Sequence, residues 1–235
     1  MSGFQFKQFG IQQDRCAMKV GTDGVLLGAW ATTGEKMLDI GTGTGLIALM
    51  MAQRNSSGTV DGIDIDPDAV EQARGNVAAS RFAARVRVEE CSIQSFRLSE
   101  NGCYDVIVSN PPFFQNSLGI PYEQRHLARH ADSLTYRELF DAVTRLLTED
   151  GVFAAILPFD CRDAFVAEGV LHGLRVRREC AVRTTQRKAP RRYLLEFSRR
   201  AESGSLGEYE EVVLTDSNGG RSEWYRQLTE EFYLF

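Results

Sequence analysis

The residues best suited to chemistry in this chain are the four that follow an apolar run, Asn110-Pro111-Pro112-Phe113. Because residues 104–108 are typical of a buried strand, the tetrapeptide is predicted to be the loop that follows it. Neither proline has a backbone N–H, so the segment offers acceptors: the Asn110 side-chain oxygen and the Pro111 carbonyl. With the aromatic face of Phe113, these acceptors suit a planar amine, such as the exocyclic amino group of a base. Prolines are also common where a strand ends, and the motif by itself supports either interpretation.

A second candidate site is the turn in which Asp39 precedes three glycines, Gly41, Gly43 and Gly45. Glycines permit a tight turn and a close approach of a ligand to the backbone. At the carboxyl edge of an open α/β sheet, such turns bind ligands. Dinucleotide sites favour the spacing G-x-G-x-x-G, but here the third glycine comes one residue early and Leu46 takes the expected place. The spacing and the nearby acid therefore favour a cationic ligand over a pyrophosphate.

Polar residues also stand at the ends of two other predicted strands. Asp64 ends the second strand, where a carboxylate can accept both hydroxyls of a ribose. Asp66 is better explained as a helix cap, since Pro67 follows it. After the third strand, Ser92 could offer its hydroxyl to an exocyclic amine, or it could simply stabilise a turn.

These residues are positioned by apolar strands that alternate with helical patterns. Strands are predicted at 36–40, 59–65, 85–90, 104–109, 152–157, 174–182 and 191–198, and helices at 44–53, 67–80, 135–148 and 160–172. Asp150-Gly151 is predicted to end the helix that begins at residue 135. The alternation predicts an α/β fold with a doubly wound, Rossmann-like, mostly parallel sheet of seven strands.

We expect one domain over residues 1–235, with a core at 34–200 and an addition at each end. Residues 1–33 are predicted to form a hairpin at 4–12 and a helix that Thr22-Asp23 caps and that runs to Trp30. Residues 201–235 are predicted to add an edge strand at 208–215 and an amphipathic helix at 223–232. The three aromatic residues Phe4, Phe6 and Phe9 are expected in the core.

Composition limits the class of protein. A chain of 235 residues with 43% hydrophobic residues can bury a substantial core. The longest apolar run, 46–52, is far too short to span a bilayer, which predicts a soluble, cytoplasmic protein. The five cysteines are never spaced C-x-x-C, and His126 and His130 have no third ligand near them in sequence, so neither a disulfide framework nor a metal site is expected.

The net charge of −5 conceals a strong asymmetry. Residues 175–200 include ten basic and two acidic residues, whereas residues 201–235 include eight acidic and two basic ones. A local basic surface can bind phosphates even in an acidic protein. Alternatively, these arginines are solvated and balanced by the acidic tail.

Residues 110–134 show no convincing helical or strand period, and loops of that length are usually functional or disordered.

With the glycine turn, Asp64 and the Asn-Pro-Pro-Phe motif in this order, residues 15–200 resemble the class I S-adenosylmethionine-dependent methyltransferases. Within them, the chain is similar to the bacterial tRNA adenine-N6 methyltransferases, which modify the adenosine beside the anticodon of a valine tRNA. That similarity is carried by residues 17–30, 128–130, 188–191 and 231–234. It implies S-adenosylmethionine as cofactor and tRNA as partner, and we expect a monomer without a metal. One departure is Ser92, because the family often has an aspartate there.

The resemblance also implies roles for individual residues. The implied catalytic residues are Asn110, Pro111, Pro112 and Phe113. The implied cofactor-binding residues are Thr22, Asp23, Asp39, Gly41, Thr42, Gly43, Gly45, Asp64, Ile65, Ser92, Ile93 and Asn110. The implied RNA-binding residues are Lys19, Arg125, Arg129, His130, Lys188 and Arg191, although Lys19 could instead support the helix cap.

Other functions remain open on the sequence alone. The same chemistry would serve a guanine-N2 rRNA methyltransferase or a protein-glutamine methyltransferase, and the basic stretch 175–200 favours RNA over protein. A non-catalytic cofactor-binding or RNA-binding module is an alternative from another class. A nicotinamide oxidoreductase is disfavoured by the glycine spacing.

Overall fold

The computed structural model describes residues 3–16, 19–111, 134–200 and 207–234. The strands are β1 (Gly3–Gln5), β2 (Gly10–Gln12), β3 (Lys36–Ile40), β4 (Thr59–Asp64), β5 (Val86–Glu90), β6 (Tyr104–Ser109), β7 (Leu147–Pro158), β8 (Arg175–Arg183), β9 (Arg192–Ser198) and β10 (Glu208–Val213). The helices are α1 (Thr22–Trp30), α2 (Leu46–Arg54), α3 (Pro67–Ala78), α4 (Tyr136–Leu146), α5 (Arg162–Leu171) and α6 (Glu223–Thr229), and a 3₁₀ turn spans Phe159–Cys161.

Eight of the strands form one sheet in the order β10-β8-β9-β7-β6-β3-β4-β5. Within this sheet, β9 runs antiparallel to β7 and β8, and all the other pairings are parallel. The predicted doubly wound, mostly parallel α/β fold is confirmed. The seven strands of the expected core are extended by the predicted edge strand, β10. The carboxyl ends of seven strands and the start of β9 therefore meet at one edge, called here the carboxyl edge.

The sheet is covered on both faces by apolar side chains. One face carries a cluster of phenylalanine rings from α4, β7, α5 and β9, namely Phe140, Phe153, Phe165 and Phe197, with ring centroids 4.8–6.1 Å apart. The other face packs against α1, α2 and α3, and the hairpin β1–β2 contacts α3. These clusters fix the strands, and thereby the position of the carboxyl edge.

The ends of the chain pack together beside α2. Phe6 and Phe9 of the hairpin are buried and Phe4 packs against the core, as expected. The Phe6 ring stacks on Tyr233, with centroids 5.8 Å apart, and the Lys7 amide donates to the Phe232 carbonyl. The C-terminal segment therefore holds the N-terminal hairpin in place.

The prediction that a helix spans 135–148 and ends at Asp150-Gly151 is wrong at its carboxyl end. Helix α4 ends at Leu146, and β7 begins at Leu147, which is buried and pairs with Tyr104. The amides of residues 102 and 103 donate to the last carbonyls of the helix, at residues 145 and 146. The extended backbone after Leu146 is thus favoured by pairing with β6, and Asp150-Gly151 lies within a strand.

The predicted cap of α1 by Thr22-Asp23 is also wrong. The N-cap residue is Gly21, and no side-chain capping hydrogen bond is present at this helix start within the described residues. Asp23 instead forms an ion pair with Arg192, at the start of β9. The cap of α3 is as predicted, because the Asp66 carboxylate accepts from the Asp68 amide at 3.0 Å.

Within the described residues, no helix combines the length and the apolar character needed to cross a membrane. The same residues contain no cluster of three or more His, Cys, Asp or Glu side chains suited to a metal ion.

Candidate functional site

Three of the predicted site residues are brought together by strand register. Ile40, the last residue of β3, pairs with Ile63 on β4 and with Ser109 on β6. Each of these residues is followed by a predicted site residue, so Gly41 lies between Asp64 on one side and Asn110 on the other. The neighbourhood predicted from strand ends therefore exists at the carboxyl edge.

The glycine turn is built on backbone that favours glycine. Gly41, Gly43 and Gly45 have φ values of 72°, 54° and 80°, all in the left-handed region. A Cβ built on Gly41 would meet no atom of the described residues within 4 Å, so these residues leave the space above it open. The amides of Gly41 and Thr42 both donate to the Ile63 carbonyl at 2.9 Å, which ties the turn to β4. Gly45 is the N-cap of α2, so that helix begins at Leu46 and not at residue 44.

Asp39 is a fully buried carboxylate beneath this turn. Its Oδ2 accepts from the Thr42 hydroxyl at 2.7 Å and from the Ala48 amide, in the first turn of α2, at 3.1 Å. Among the described residues, its Oδ1 has no hydrogen-bond partner. Burial raises the Asp39 pKa to about 7, and the nearby charge of Asp64 adds to the rise while the two hydrogen bonds oppose it. The arrangement leaves a buried acceptor available to a cationic or hydrogen-bonding ligand.

Asp64 is partly exposed at the end of β4, and both of its oxygens bind backbone. Its Oδ2 accepts from the Gly43 amide at 2.9 Å, and its Oδ1 accepts from the Asp66 amide at 3.1 Å. A carboxylate has about four acceptor positions, so each oxygen retains one for a ligand hydroxyl. The next residue, Ile65, is 52% exposed and adds an apolar surface beside the carboxylate.

Ser92 and Ile93 follow β5 at the same edge. The Ser92 carbonyl accepts from the amides of Ser95 and Phe96, and its hydroxyl lies 2.8 Å from the Ser95 hydroxyl. Ser92 therefore forms a turn here and remains partly exposed, while Ile93 is buried. Both roles considered for Ser92 are compatible with this position.

Asn110 presents the second unpaired acceptor of the site. Its Oδ1 is buried, and no hydrogen-bond partner for it exists in the described part of the chain. Pro111 is buried directly after it. The remaining predicted residues of this segment, Pro112, Phe113, Arg125, Arg129 and His130, lie outside the described residues.

Two buried amides that the sequence analysis did not single out hold the N-terminal segment beside the glycine turn. Asn76 of α3 accepts from the Gln12 amide at 2.8 Å and donates to the carbonyls of Gln12 and Thr44, each at 2.9 Å. One turn earlier, Gln72 accepts from the Arg15 amide at 3.1 Å. Their spacing of four residues on a buried helix face was the available sequence signal.

The predicted RNA-binding residues that the structure describes are exposed and lie on loops. Lys188 and Arg191 stand in the connection from β8 to β9, which is at the carboxyl edge, and Lys19 precedes α1. The acidic tail neutralises other arginines of the basic stretch: Arg178 lies 3.7 Å from Glu210, and Arg183 pairs with Glu211. The basic stretch thus contains both paired arginines on strands and exposed cations on the loop. Thr22 and Asp23, at the start of α1, are near this loop through the Asp23–Arg192 ion pair.

Comparison with known proteins defines the class first. Residues 31–185 match a family described as a methyltransferase domain. Among solved structures, a predicted O-methyltransferase from Agrobacterium tumefaciens has the same fold, with a TM-score of 0.67 and 15% identity over 89% of this chain and 96% of that one. A geranyl diphosphate C-methyltransferase from Streptomyces coelicolor, solved with S-adenosyl-L-homocysteine, has a TM-score of 0.54 and 12% identity over 72% and 74% of the two chains. The fold and the matched family are those of class I methyltransferases.

Closer relatives narrow this class. A tRNA1(Val) (adenine(37)-N6)-methyltransferase from Phocaeicola vulgatus is 46% identical over 98% of this chain and 97% of its own length. A protein of the same name from Aeromonas salmonicida is 45% identical over 99% and 98% of the two chains. The chain belongs to the family of these methyltransferases.

Proposed function

We propose that this protein transfers a methyl group from S-adenosylmethionine to the exocyclic N6 amine of an adenine in tRNA, the anticodon-loop adenosine of a valine tRNA. The names of the relatives support the substrate. The observation that carries the chemistry is the buried Oδ1 of Asn110, which has no hydrogen-bond partner among the described residues and lies beside a space at Gly41 that those residues leave open. We also infer a monomer that acts in the cytoplasm, where tRNA is found.

The residues at the carboxyl edge fit the cofactor. Four features of the described residues together suit a cationic nucleoside: the Asp39 Oδ1 that none of them bonds, the space that they leave open above Gly41, the remaining acceptor positions of Asp64 and the exposed surface of Ile65. We propose that the cofactor is held by Thr22, Asp23, Asp39, Gly41, Thr42, Gly43, Gly45, Asp64, Ile65, Ser92, Ile93 and Asn110. When bound, S-adenosylmethionine supplies a methyl group that is already activated.

The protein's main task is then to position the amine. An aromatic amine is a poor nucleophile because its lone pair is delocalised into the ring. Two acceptors, Asn110 Oδ1 and the Pro111 carbonyl, would bind its two hydrogens and direct the lone pair out of the ring plane. Fixed acceptors also stabilise the positive charge that develops on the nitrogen.

The rest of the proposed substrate site lies around this position. We propose that Phe113 stacks on the adenine, a contact worth about 1–3 kcal/mol in single-stranded binding sites. An adenine in a tRNA loop is also easier to extrude than one in a duplex. Lys19, Arg125, Arg129, His130, Lys188 and Arg191 would contact the RNA backbone.

The test is methylation of a valine tRNA transcript by the purified protein with radiolabelled S-adenosylmethionine, followed by mass spectrometry of the nucleosides. We expect N6-methyladenosine, and no product when the target adenosine is replaced by guanosine. Asn110→Ala should lower the rate by about a hundredfold or more, the cost of removing one fixed catalytic hydrogen-bonding group. It should change the cofactor Kd far less, because the other proposed cofactor-binding residues are retained.

Asn101→Ala is the matched control, because Asn101 is an exposed asparagine just before β6, at the opposite edge of the sheet. This variant should methylate like the parent protein. If the product is methylated guanosine or methylated protein glutamine, that group is the substrate and the proposed adenine is not. An Asn110→Ala variant as active as the parent would remove the proposed role of Asn110.

A further inference from the structure

An exposed aromatic pair lies at the carboxyl edge beyond Asn110. Phe159 follows β7 and is 48% exposed, and its ring centroid is 5.9 Å from that of Tyr193, at the start of β9, with 30° between the ring planes. A single exposed phenylalanine is ordinary on a protein surface. This one is part of a pair beside the strand that carries the proposed catalytic loop, because β7 is the neighbour of both β6 and β9.

Contacts with neighbouring residues fix both members of this pair. The Arg162 guanidinium lies 5.7 Å from the Tyr193 ring centroid and is itself fixed by two hydrogen bonds, of 2.7 and 3.1 Å, to Glu179. The Phe159 amide donates to the Arg191 carbonyl at 3.0 Å. An aromatic surface that is already ordered loses little conformational entropy when a ligand binds to it.

Exposed cations lie on the connection that leads into Tyr193. Arg187, Lys188 and Arg191 lie on the connection from β8 to β9 and are exposed, and no carboxylate of the described residues forms an ion pair with any of them. Asp160 is the acid next to Phe159 in sequence. Cations beside an aromatic platform are the combination with which proteins bind single-stranded nucleic acid.

This aromatic pair lies further along the strand direction than the proposed adenine site. Ser109, the last residue of β6, pairs with Ala155, whereas β7 continues for three more residues to Pro158. At a rise of about 3.3 Å per residue, β7 therefore extends roughly 10 Å beyond the end of β6. A base bound at Asn110 would not reach Phe159, but the nucleotides beside it in a loop would.

We propose that Phe159, supported by Tyr193, stacks on an unpaired base that flanks the target adenine, while Arg187, Lys188 and Arg191 bind the adjoining phosphates. This inference rests on the proposed RNA substrate and adds to it a second recognition site, one that reads the single-stranded loop around the adenine.

The test measures steady-state kinetics on an anticodon stem-loop RNA for the parent protein, Phe159→Ala, Phe159→Trp and Leu171→Ala. Phe159→Ala should raise the KM for RNA by about five- to a hundredfold, the range for loss of one stacked base, with kcat and the KM for S-adenosylmethionine unchanged. Phe159→Trp should retain the parent KM. Leu171→Ala, the control, removes an exposed apolar side chain that is 80% accessible and precedes β8 at the opposite edge, and it should behave like the parent.

A second experiment removes from the RNA the base that Phe159 is proposed to stack on. Replacing the flanking nucleotides by abasic ones should raise the parent KM to that of Phe159→Ala and should leave the KM of Phe159→Ala unchanged. Lys188→Ala should reduce the slope of log affinity against log salt by about one. Circular dichroism checks folding, and if Phe159→Ala is unfolded, Phe159→Leu takes its place.

The outcomes separate this inference from the proposed function. Two results would overturn the stacking and leave the proposed function intact, provided that the parent protein methylates the RNA. One is an RNA KM of Phe159→Ala equal to that of the parent. The other is an RNA KM that rises further when Phe159→Ala is combined with the abasic RNA. Absence of methylation by the parent would reject the proposed function. In that case, equal Kd values of parent and Phe159→Ala for the fluorescent stem-loop, measured by anisotropy, would reject the stacking as well.

Discussion

Replacing Asn76 by alanine would release the N-terminal segment from the glycine turn. The Asn76 side chain is 2% exposed and makes three hydrogen bonds, two with the Gln12 backbone and one with the Thr44 carbonyl. The Thr44 carbonyl needs this partner because the Ala48 amide, which would bond it in a continued helix, donates to Asp39 instead. Alanine would leave the buried Thr44 carbonyl, and the partly buried Gln12 amide and carbonyl, without this partner.

The magnitude follows from those three bonds. Each contributes about 0.5–1.5 kcal/mol net, so Asn76→Ala should lower the free energy of unfolding by about 2–4 kcal/mol. For a chain of this size, that corresponds to a fall in Tm of roughly 5–15 °C. Loosening the turn at Thr44 should also raise the Kd for S-adenosylmethionine by up to about tenfold, the equivalent of about 1.4 kcal/mol.

Two matched variants sharpen the measurement, which combines thermal unfolding with calorimetric titration of the cofactor. Gln72→Ala loses one such bond, to the Arg15 amide, and should cost only about 1 kcal/mol. Asn76→Asp keeps the size but turns the two donated bonds into contacts between acceptors, so it should be at least as unstable as Asn76→Ala. A Tm for Asn76→Ala no lower than that of Gln72→Ala, or a stable Asn76→Asp, would refute this reasoning.

Two further predictions concern the cofactor. Asp39 has a pKa of about 7, and a cationic ligand needs its ionised form. The ionised fraction, and with it the affinity for S-adenosylmethionine, should therefore rise about eightfold from pH 6 to pH 7.5. In calorimetric titrations, Asp39→Asn should abolish this rise. Gly41→Ala should lose about 1–2 kcal/mol of stability because its φ is 72°, and its Cβ should weaken cofactor binding by entering the open space. Gly75→Ala, in an exposed turn of α3 with room for a Cβ, should instead gain about 0.5–1 kcal/mol and leave cofactor binding unchanged. Equal binding by Gly41→Ala and the parent would show that the space does not serve the cofactor.

Local patterns in the sequence determined most of the fold. The strands at 36–40 and 104–109 have the predicted bounds, and the others shift by one or two residues except β7. Asp66 caps α3 as its residue type and the following proline predict. These features depend on the period of apolar residues and on bonds between near neighbours, so the chain itself carries them.

The element boundaries that failed depend on distant partners. Leu147 was predicted to be helical as part of 135–148, yet pairing with Tyr104 makes it a strand residue. Asp23 has the residue type of a cap but binds Arg192, 169 residues away. No pattern within the neighbouring residues records either partner.

The candidate site likewise has features that the sequence predicted and features that depend on contacts between distant parts of the chain. The sequence by itself placed Asp39, the glycine turn, Asp64 and Asn110 after consecutive strands, and the alternation of strands and helices predicted that those strand ends meet. Only the tertiary structure showed that Gly41 lies between Asp64 and Asn110, because strand order and register are set by packing across the sheet. It also decided that Asn76 binds Gln12, 64 residues away, and that Glu210 and Glu211 of the tail lie beside arginines of β8. Such contacts join parts of the chain that are distant in sequence, and their partners are selected by the folded arrangement as a whole.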